Sequence, residues 1–208
     1  MPLLSGAMGA RRFLVQNGPA SIRHELLLDS LQEAAFREPP SAARGGENMG
    51  WVSHGNLVVT EFTHEDTFYN QYMCFSLRVD NKRLPAKLLK GLLDLRIDAW
   101  KAETGRERCS SQIKTEIREQ LELELYPKQL PSVQVYDICW DLSSHRLWLF
   151  SNSDRVSEKV RELFYRTFGY FLLPVGLVEL VAGHERAGDW LPALDGIGHA
   201  DYRPEVSR

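Results

Sequence analysis

Two apolar stripes at helical spacing, separated by a short break, constrain the fold of this chain more than any other feature. The first stripe follows Pro85, a residue that suits the first turn of a helix. It consists of Leu88, Leu89, Leu92, Leu93, Ile97 and Trp100. The second has a strict four-residue spacing and consists of Ile113, Ile117, Leu121 and Leu125. Gly105 lies between them, and helices joined by so short a connection usually fold back on each other. The spacing predicts a long helical hairpin at about residues 85–126.

The N-terminal part predicts one strand and one helix before a loop. Residues 11–16 are expected to form a short strand, and Ser21 is a plausible N-cap for the helix that follows. Its apolar stripe would consist of Ile22, Leu26, Leu27, Leu31 and Ala35. Pro39 and Pro40 are expected to end this helix. Residues 41–50 are polar and rich in glycine and are expected to form a loop.

The C-terminal part is patterned for a strand hairpin, a helix and another strand. Residues 133–140 and 146–151 flank a polar turn, and the second of these segments is apolar enough to be buried on both faces. A helix capped by Ser153 or Asp154 follows, and then a strand at about 170–173. This ββαβ order predicts a helix laid on one face of a sheet.

The predicted class is therefore α+β, with mixed or antiparallel sheets and packed helices. Residues 72–79 alternate between apolar and polar side chains, which is typical of a half-buried strand. We expect a disordered leader over residues 1–10, a single folded unit over 11–181 that includes the hairpin, and a loop-rich tail over 182–208. No apolar run approaches the roughly 20 residues that a membrane-spanning helix needs, so no membrane partner is expected.

Positive charge is concentrated on the predicted hairpin. The whole chain has 25 Lys and Arg against 28 Asp and Glu, a net charge of −3, whereas residues 78–118 hold eleven basic and six acidic residues, a net charge of +5. Such a segment can attract a polyanion to one face of an acidic protein. The candidate DNA-binding residues are Arg78, Lys82, Arg83, Lys87, Lys90, Lys101, Arg106, Arg108, Lys114 and Arg118. The alternative is a solvated helix pair with interspersed ion pairs.

Motifs for catalysis are scarce. The sequence has no glycine-rich phosphate loop, HExxH, GxSxG or CxxC motif. The best acidic cluster, His64 to Asp66, has no further ligand placed beside it by periodicity, so we expect no metal, no cofactor and no enzymatic activity. Cys74 and Cys139 fall in predicted strands and are expected to be small buried apolar residues. Lys and Arg can contact DNA phosphates without strict spacing, whereas no base-reading motif is recognisable.

The order of motifs resembles the recombination-associated RdgC protein family over about residues 11–180. The resemblance rests on residues 35–37, 49–52, 82–85, 123–127 and 171–174, which read Ala-Phe-Arg, Met-Gly-Trp-Val, Lys-Arg-Leu-Pro, Leu-Glu-Leu-Tyr-Pro and Phe-Leu-Leu-Pro. Family members are commonly about half as long again. Where the family typically has leucine-leucine-proline-arginine, this chain has Leu-Tyr-Pro-Lys at 125–128.

The resemblance implies a non-enzymatic protein of the bacterial cytoplasm and nucleoid. It would be a ring-shaped homodimer that encircles duplex DNA and restrains the RecA recombinase. The cations of the hairpin would then contact phosphates. We therefore expect a DNA-binding protein that acts on duplex DNA of any sequence in recombination or repair. The alternatives are a non-catalytic protein-interaction module and a small metal-dependent nuclease centred on His64, Glu65 and Asp66.

Overall fold

The computed structural model describes residues 9–16, 18, 23–38, 46–182, 184 and 187–194. Its strands are β1 (Arg11–Gln16), β2 (Glu47–Val52), β3 (Phe68–Tyr69), β4 (Tyr72–Asn81), β5 (Ser132–Asp141), β6 (Arg146–Leu149) and β7 (Phe171–Pro174). Its α-helices are α1 (His24–Glu33), α2 (His64–Thr67), α3 (Ala86–Thr104), α4 (Ser111–Leu125), α5 (Asp154–Phe168), α6 (Leu177–Ala182) and α7 (Ala187–Leu194). The predicted α+β class is confirmed.

All strands pair antiparallel in one sheet with the order β2-β4-β5-β6-β1-β7, and β3 pairs with the start of β4. The longest pair is β4 and β5, which run side by side from Tyr72 opposite Asp141 to Asn81 opposite Ser132. The predicted ββαβ order is present along the chain as β5, β6, α5 and β7. In space, however, β1 lies between β6 and β7. The N-terminal strand therefore completes the C-terminal half of the sheet.

The core lies between α1, α5 and one face of the sheet. Leu31 of α1 and Phe164 of α5 are fully buried there with Phe75 of β4 and Trp140 of β5. The Trp140 and Phe164 rings meet edge to face with centroids 5.2 Å apart. Burial of each such side chain contributes about 1.5–3 kcal/mol, so this layer is the main source of stability.

Strand β4 is buried on both faces, so the prediction of a half-buried strand is wrong. Its second face carries Cys74, Ser76, Arg78 and Asp80, all of which are buried. Buried polar groups need partners, and Ser76 Oγ donates a 2.7 Å hydrogen bond to Oδ1 of Asp137 on β5. The polar residues of β4 are buried with partners, so the alternation of apolar and polar residues in this strand does not mean that one face is exposed to solvent.

The predicted helical hairpin is confirmed as α3 and α4. Its boundaries are set locally: Ser110 Oγ accepts a 3.3 Å hydrogen bond from the backbone N–H of Ile113, and Gly105 has a φ of 65°, which favours glycine. The two helices contact each other far more extensively than either contacts the sheet. Ile97 and Leu121 are buried between them, whereas Leu88 is 53% exposed. Leu88 therefore lies outside the core, although the sequence predicted it to belong to the buried apolar stripe of this helix.

Near the N-terminus, two predictions are wrong. Helix α1 ends at Glu33, before the prolines, because the chain then pairs with β2: the Phe36 N–H donates to the Trp51 carbonyl at 2.8 Å. The last four residues of the predicted 41–50 loop belong to β2. A Cβ at Gly50 would lie 2.4 Å from Cα of Phe36, so glycine permits this close approach. The proposed Ser21 cap and residues 39–45 lie outside the described residues.

A further correction concerns the C-terminal half. In β6, Leu147 and Leu149 are fully buried, but Trp148 and the following Phe150 are only half-buried, so this strand is not buried on both faces. Within the segment 182–208, the structure describes helix α7, which packs against the preceding α6. Residues 195–208 and most of the expected leader lie outside the described residues. Within the described part of the chain, no helix is long and apolar enough to cross a membrane.

Candidate nucleic-acid interface

The helical hairpin has two chemically different sides. On one side, Arg96 of α3 pairs with Glu124 of α4 at 2.8 Å. On the other, a cleft of about 490 Å³ near the tip is lined by three cations, Lys101, Arg108 and Lys114. The ion pair and the cleft show which face of each helix lies on which side of the hairpin. Helical spacing then places the other exposed residues on one side or the other.

Helical spacing extends the row of cations from the cleft along both helices. Lys87 and Lys90 precede Lys101 by 14 and 11 residues, which keeps them near the same side of α3. Arg118 follows Lys114 by one turn of α4. We call this surface the basic side, and it consists of Lys87, Lys90, Lys101, Arg108, Lys114 and Arg118. All are exposed except Lys101, which is half-buried.

Acidic residues partly offset this charge. Lys101 Nζ lies 3.4 Å from Asp98, and Arg118 Nε donates to Glu122 at 2.8 Å. The hydrogen bond to Glu122 raises the pKa of Arg118. Asp94 and Glu107 also line the cleft, so the side carries six cations against four carboxylates, a net charge of +2. Exposed ion pairs contribute little and are screened by salt, so a phosphate can displace them.

Four cations of the basic side have no ion pair within the described residues: Lys87, Lys90, Arg108 and Lys114. Because these four cations are exposed and make no ion pair there, they are the groups best able to release counterions on meeting a polyanion.

The opposite side of the hairpin is acidic and apolar. Arg96 is its cation, and Glu116 and Glu124 are among its acids. Helical spacing places three exposed leucines on the outward surface of the hairpin, away from the contact between the two helices, and we call this surface the leucine side: Leu88, Leu95 and Leu123, at 53%, 68% and 49% exposure. The positive charge is therefore one-sided. Residue counts could not reveal this, since sidedness depends on how the helices are rotated.

The remaining cations lie at the two ends of the hairpin. Arg106 is exposed at the tip. Lys82 and Arg83 are at the base, where Arg83 lines a cleft of about 360 Å³ with Arg155 of α5. Sequence reasoning missed Arg155, since it lies far from the basic segment along the chain and no local pattern marks it. Its guanidinium also pairs with Glu47 at 3.3 Å.

Arg78 does not belong to this surface. Its guanidinium donates to both carboxylate oxygens of Asp80, at 2.8 and 2.7 Å, and to the Leu57 carbonyl at 3.1 Å. It also lies 4.1 Å from the centroid of the Phe36 ring, and the residue is 8% exposed. The hydrogen bonds to Asp80 raise the pKa of Arg78. Since each of its three nitrogen atoms already donates a hydrogen bond and the side chain is buried, we remove Arg78 from the candidate phosphate contacts.

The His64 to Asp66 cluster forms the short helix α2, in which Thr63 caps the N-terminus. A residue that sequence reasoning did not place there, His24, has Nδ1 3.0 Å from Nε2 of His64. Both rings lie against Phe68. Within the described ranges, no group of three or more His, Cys, Asp or Glu residues is arranged to hold a metal ion.

Fold and surface together define a class: an antiparallel α+β protein whose two longest strands are joined by a helical hairpin that is basic on one side. The chain belongs to the RdgC family, since the family model described as "Putative exonuclease, RdgC" matches residues 14–193. The recombination-associated protein RdgC of Psychromonas ingrahamii is 24% identical over 151 residues, which cover 73% of this chain and 47% of that protein. The matched region thus spans about half the length of that relative.

Proposed function

We propose that this protein binds duplex DNA without sequence preference, and that the basic side of the hairpin is the contact surface. The observation that carries the proposal is the one-sided row of exposed, unpaired cations at Lys87, Lys90, Arg108 and Lys114 within the described part of the chain. Lysine and arginine neutralise phosphates irrespective of base sequence. Membership of a family with a recombination-associated member supports a role in DNA recombination or repair.

The dimensions of the hairpin suit a contact that extends along a duplex. From Lys87 to Lys101, α3 rises about 21 Å at 1.5 Å per residue. B-DNA carries one negative charge per about 1.7 Å of axis, so a row of this length faces many phosphates. No base-reading element is needed for such a contact.

We further propose that the protein acts without catalysis or cofactor, as a cytoplasmic, nucleoid-associated homodimer. By occupying duplex DNA it would restrain a RecA-type recombinase, because both would compete for the same substrate. Two copies related by a two-fold axis would present matching basic sides to one duplex.

A second candidate function is a protein-interaction module. The leucine side favours it, since exposed apolar residues grouped on one surface often mark protein interfaces. On this hypothesis the leucines dock a protein partner and the basic side is only its solvated rim. DNA affinity would then be absent or indifferent to the cations.

The deciding experiment is a titration of duplex DNA across salt concentrations. The variant Lys87→Gln/Lys90→Gln/Lys114→Gln should bind more weakly at every sequence, and the slope of log affinity against log salt should flatten by about 0.9 for each phosphate that is no longer neutralised. The matched control changes three exposed arginines elsewhere, Arg12→Gln/Arg23→Gln/Arg166→Gln, with the same reduction of charge.

Equal effects of the two triple variants would contradict the assigned surface, and binding that is sequence-selective or independent of salt would contradict the phosphate mechanism. End-labelled DNA incubated with Mg²⁺ or Mn²⁺ tests the nuclease alternative in parallel. Shortening of the labelled strand by the native protein, abolished by His64→Ala/Asp66→Ala, would establish catalysis and overturn the non-enzymatic proposal.

A further inference from the structure

Two cysteines face each other across the β4–β5 strand pair. Cys74 of β4 lies directly opposite Cys139 of β5, and their Sγ atoms are 3.8 Å apart. The N–H of Leu142 donates to the Gln71 carbonyl at 3.0 Å, which makes Gln71 and Leu142 a hydrogen-bonded pair. Because antiparallel pairs alternate, the cysteines three residues further on form a non-hydrogen-bonded pair.

This position suits a covalent bridge between strands. Opposite residues in a non-hydrogen-bonded pair have Cα atoms about 4.5 Å apart, and disulfides span Cα separations of about 4.4–6.8 Å. The two thiols already point at each other, so bond formation requires the sulfur atoms to approach by side-chain rotation. The register of β4 and β5 can remain as it is.

We propose that Cys74 and Cys139 are a redox-active dithiol that a small-molecule disulfide, such as oxidised glutathione, converts into an intramolecular disulfide. One protein thiolate attacks the glutathione disulfide and releases one glutathione thiol. The second protein thiolate then attacks the mixed disulfide and releases the other glutathione. Overall, the protein dithiol loses two electrons and two protons, and one glutathione disulfide becomes two thiols.

The surroundings give the pair one accessible entry point. Cys74 is 5% exposed, whereas Cys139 is half-buried and can be reached by a reagent. The hydrogen bond between the two sulfur atoms lowers the pKa of Cys74 and raises that of Cys139. Burial and the charges of Asp137 and Asp141 oppose ionisation. The shared proton makes the first ionisation of the pair easier and the second harder, whichever sulfur carries the charge, as expected for two titratable groups in contact.

A disulfide at this position would close a long covalent loop in the chain. Strand β4 leads into α3, and β5 follows α4, so a Cys74–Cys139 bond encloses the whole hairpin in a covalent loop. Closing so long a loop reduces the conformational entropy of the unfolded chain. For an unstrained bond we expect the thermal midpoint to rise by on the order of 10 °C.

The test uses the full native chain in buffers of increasing ratio of oxidised to reduced glutathione. Free thiols are then alkylated, and tryptic peptides are analysed by mass spectrometry. The three cysteines fall in separate peptides, residues 45–78, 109–114 and 129–146. Cys109, on the partly exposed hairpin tip, is the internal reference for a thiol with no partner cysteine beside it in the described structure.

The expected result is a cross-linked peptide of residues 45–78 and 129–146, lighter than its reduced parts by two hydrogen atoms and released by dithiothreitol. Cys109 should instead gain glutathione. Cys74→Ser should convert Cys139 into a glutathione adduct, because no second thiol then remains to resolve the mixed disulfide. The proposal is overturned if Cys109 gains glutathione while Cys74 and Cys139 remain free thiols that are alkylated afterwards. It is also overturned if Cys74 and Cys139 each gain glutathione separately.

A second measurement compares thermal midpoints of oxidised and reduced protein in the Cys109→Ser background, where only the pair can react. A rise that is absent in Cys109→Ser/Cys139→Ser supports the bridge. A cross-link that leaves the midpoint unchanged would overturn its assigned stabilising effect. Neither measurement depends on DNA binding.

Discussion

Arg78 illustrates how position in a sheet decides what a single cation can do. In a charge count it resembles Lys87 or Lys90, but in β4 it shares a face with Asp80, two residues on. Side chains at i and i+2 of a strand point the same way, so their 2.7 Å ion pair is a local feature that the sequence contains. Sequence reasoning misses it because alternation normally indicates exposure, whereas the second face of β4 is covered.

We predict that Arg78→Met destabilises the fold by about 3–5 kcal/mol, because it leaves the Asp80 carboxylate buried without its partner. Urea unfolding measures the loss of stability. Arg96→Met is the matched control: its ion pair with Glu124 has side chains about half exposed, against 10% and 7% for Arg78 and Asp80, so it should cost less than about 1 kcal/mol. Similar losses of stability in the two variants would contradict the burial of Arg78.

Asp141 predicts a dependence of stability on pH. Burial acts to raise its pKa, but hydrogen bonds from the side chains and N–H groups of Ser143 and Ser144 outweigh this, so the pKa lies below its usual range. A carboxyl with a lowered folded-state pKa stabilises the fold above its unfolded pKa of about 4, and the contribution disappears as pH falls through the folded pKa.

The difference in unfolding free energy between the native protein and Asp141→Asn should therefore be greatest near neutral pH and shrink below about pH 4. Denaturant titrations at a series of pH values measure it. Ser143→Ala/Ser144→Ala should reduce the same pH-dependent contribution while keeping the carboxyl. A difference that stays constant with pH would show that ionisation of Asp141 is not linked to folding.

At the scale of elements, a helix could be predicted from the sequence where residues at its own ends fix its boundaries. A strand could not be predicted where its position depends on pairing with a distant strand. Pro85, Gly105 and Ser110 delimit the hairpin to within a residue or two. Strand β2 has no alternation of its own. It forms because β4 pairs with it and because Gly50 admits Phe36, and such distant contacts leave no local pattern.

Two glycines of the hairpin allow a matched test of these boundaries. Gly91 lies inside α3, and Gly105 ends it with a φ of 65°; an added Cβ would meet nothing within 4 Å at either position. Gly91→Ala should stabilise by about 0.5–1 kcal/mol through helix propensity. Gly105→Ala should destabilise by about 1–2 kcal/mol, because alanine disfavours left-handed backbone.

Hydrogen exchange of amides in α3 and α4 reports these changes even if the hairpin unfolds separately from the sheet. The critical result is that Gly91→Ala stabilises the helices whereas Gly105→Ala destabilises them. If both substitutions stabilise the helices, Gly105 would not be a left-handed cap.

At the scale of the whole molecule, the hairpin is inserted between β4 and β5. Strand β4 leads into α3 and β5 follows α4, so the sheet anchors both ends of the hairpin. The net charge of residues 78–118 follows from composition alone. That the charge lies on one side could be established only from the orientation of the two helices, which the Arg96–Glu124 pair and the cleft lined by Lys101, Arg108 and Lys114 show. On the proposed function, one molecule would offer one basic side and would cover only part of the circumference of a duplex.

This one-sidedness leads to the prediction of a homodimer. Two copies related by a two-fold axis would place basic sides on both flanks of a duplex, and closed two-fold assemblies are the commonest oligomers. Sedimentation at micromolar concentration should give twice the chain mass of 23.8 kDa, and a single-chain mass throughout would rule out the dimer. If the dimer also closes around DNA, linear duplexes with blocked ends should retain it after a rise in salt, whereas duplexes with free ends should release it. Equal release from both would leave a dimer that binds from the sides without encircling its substrate.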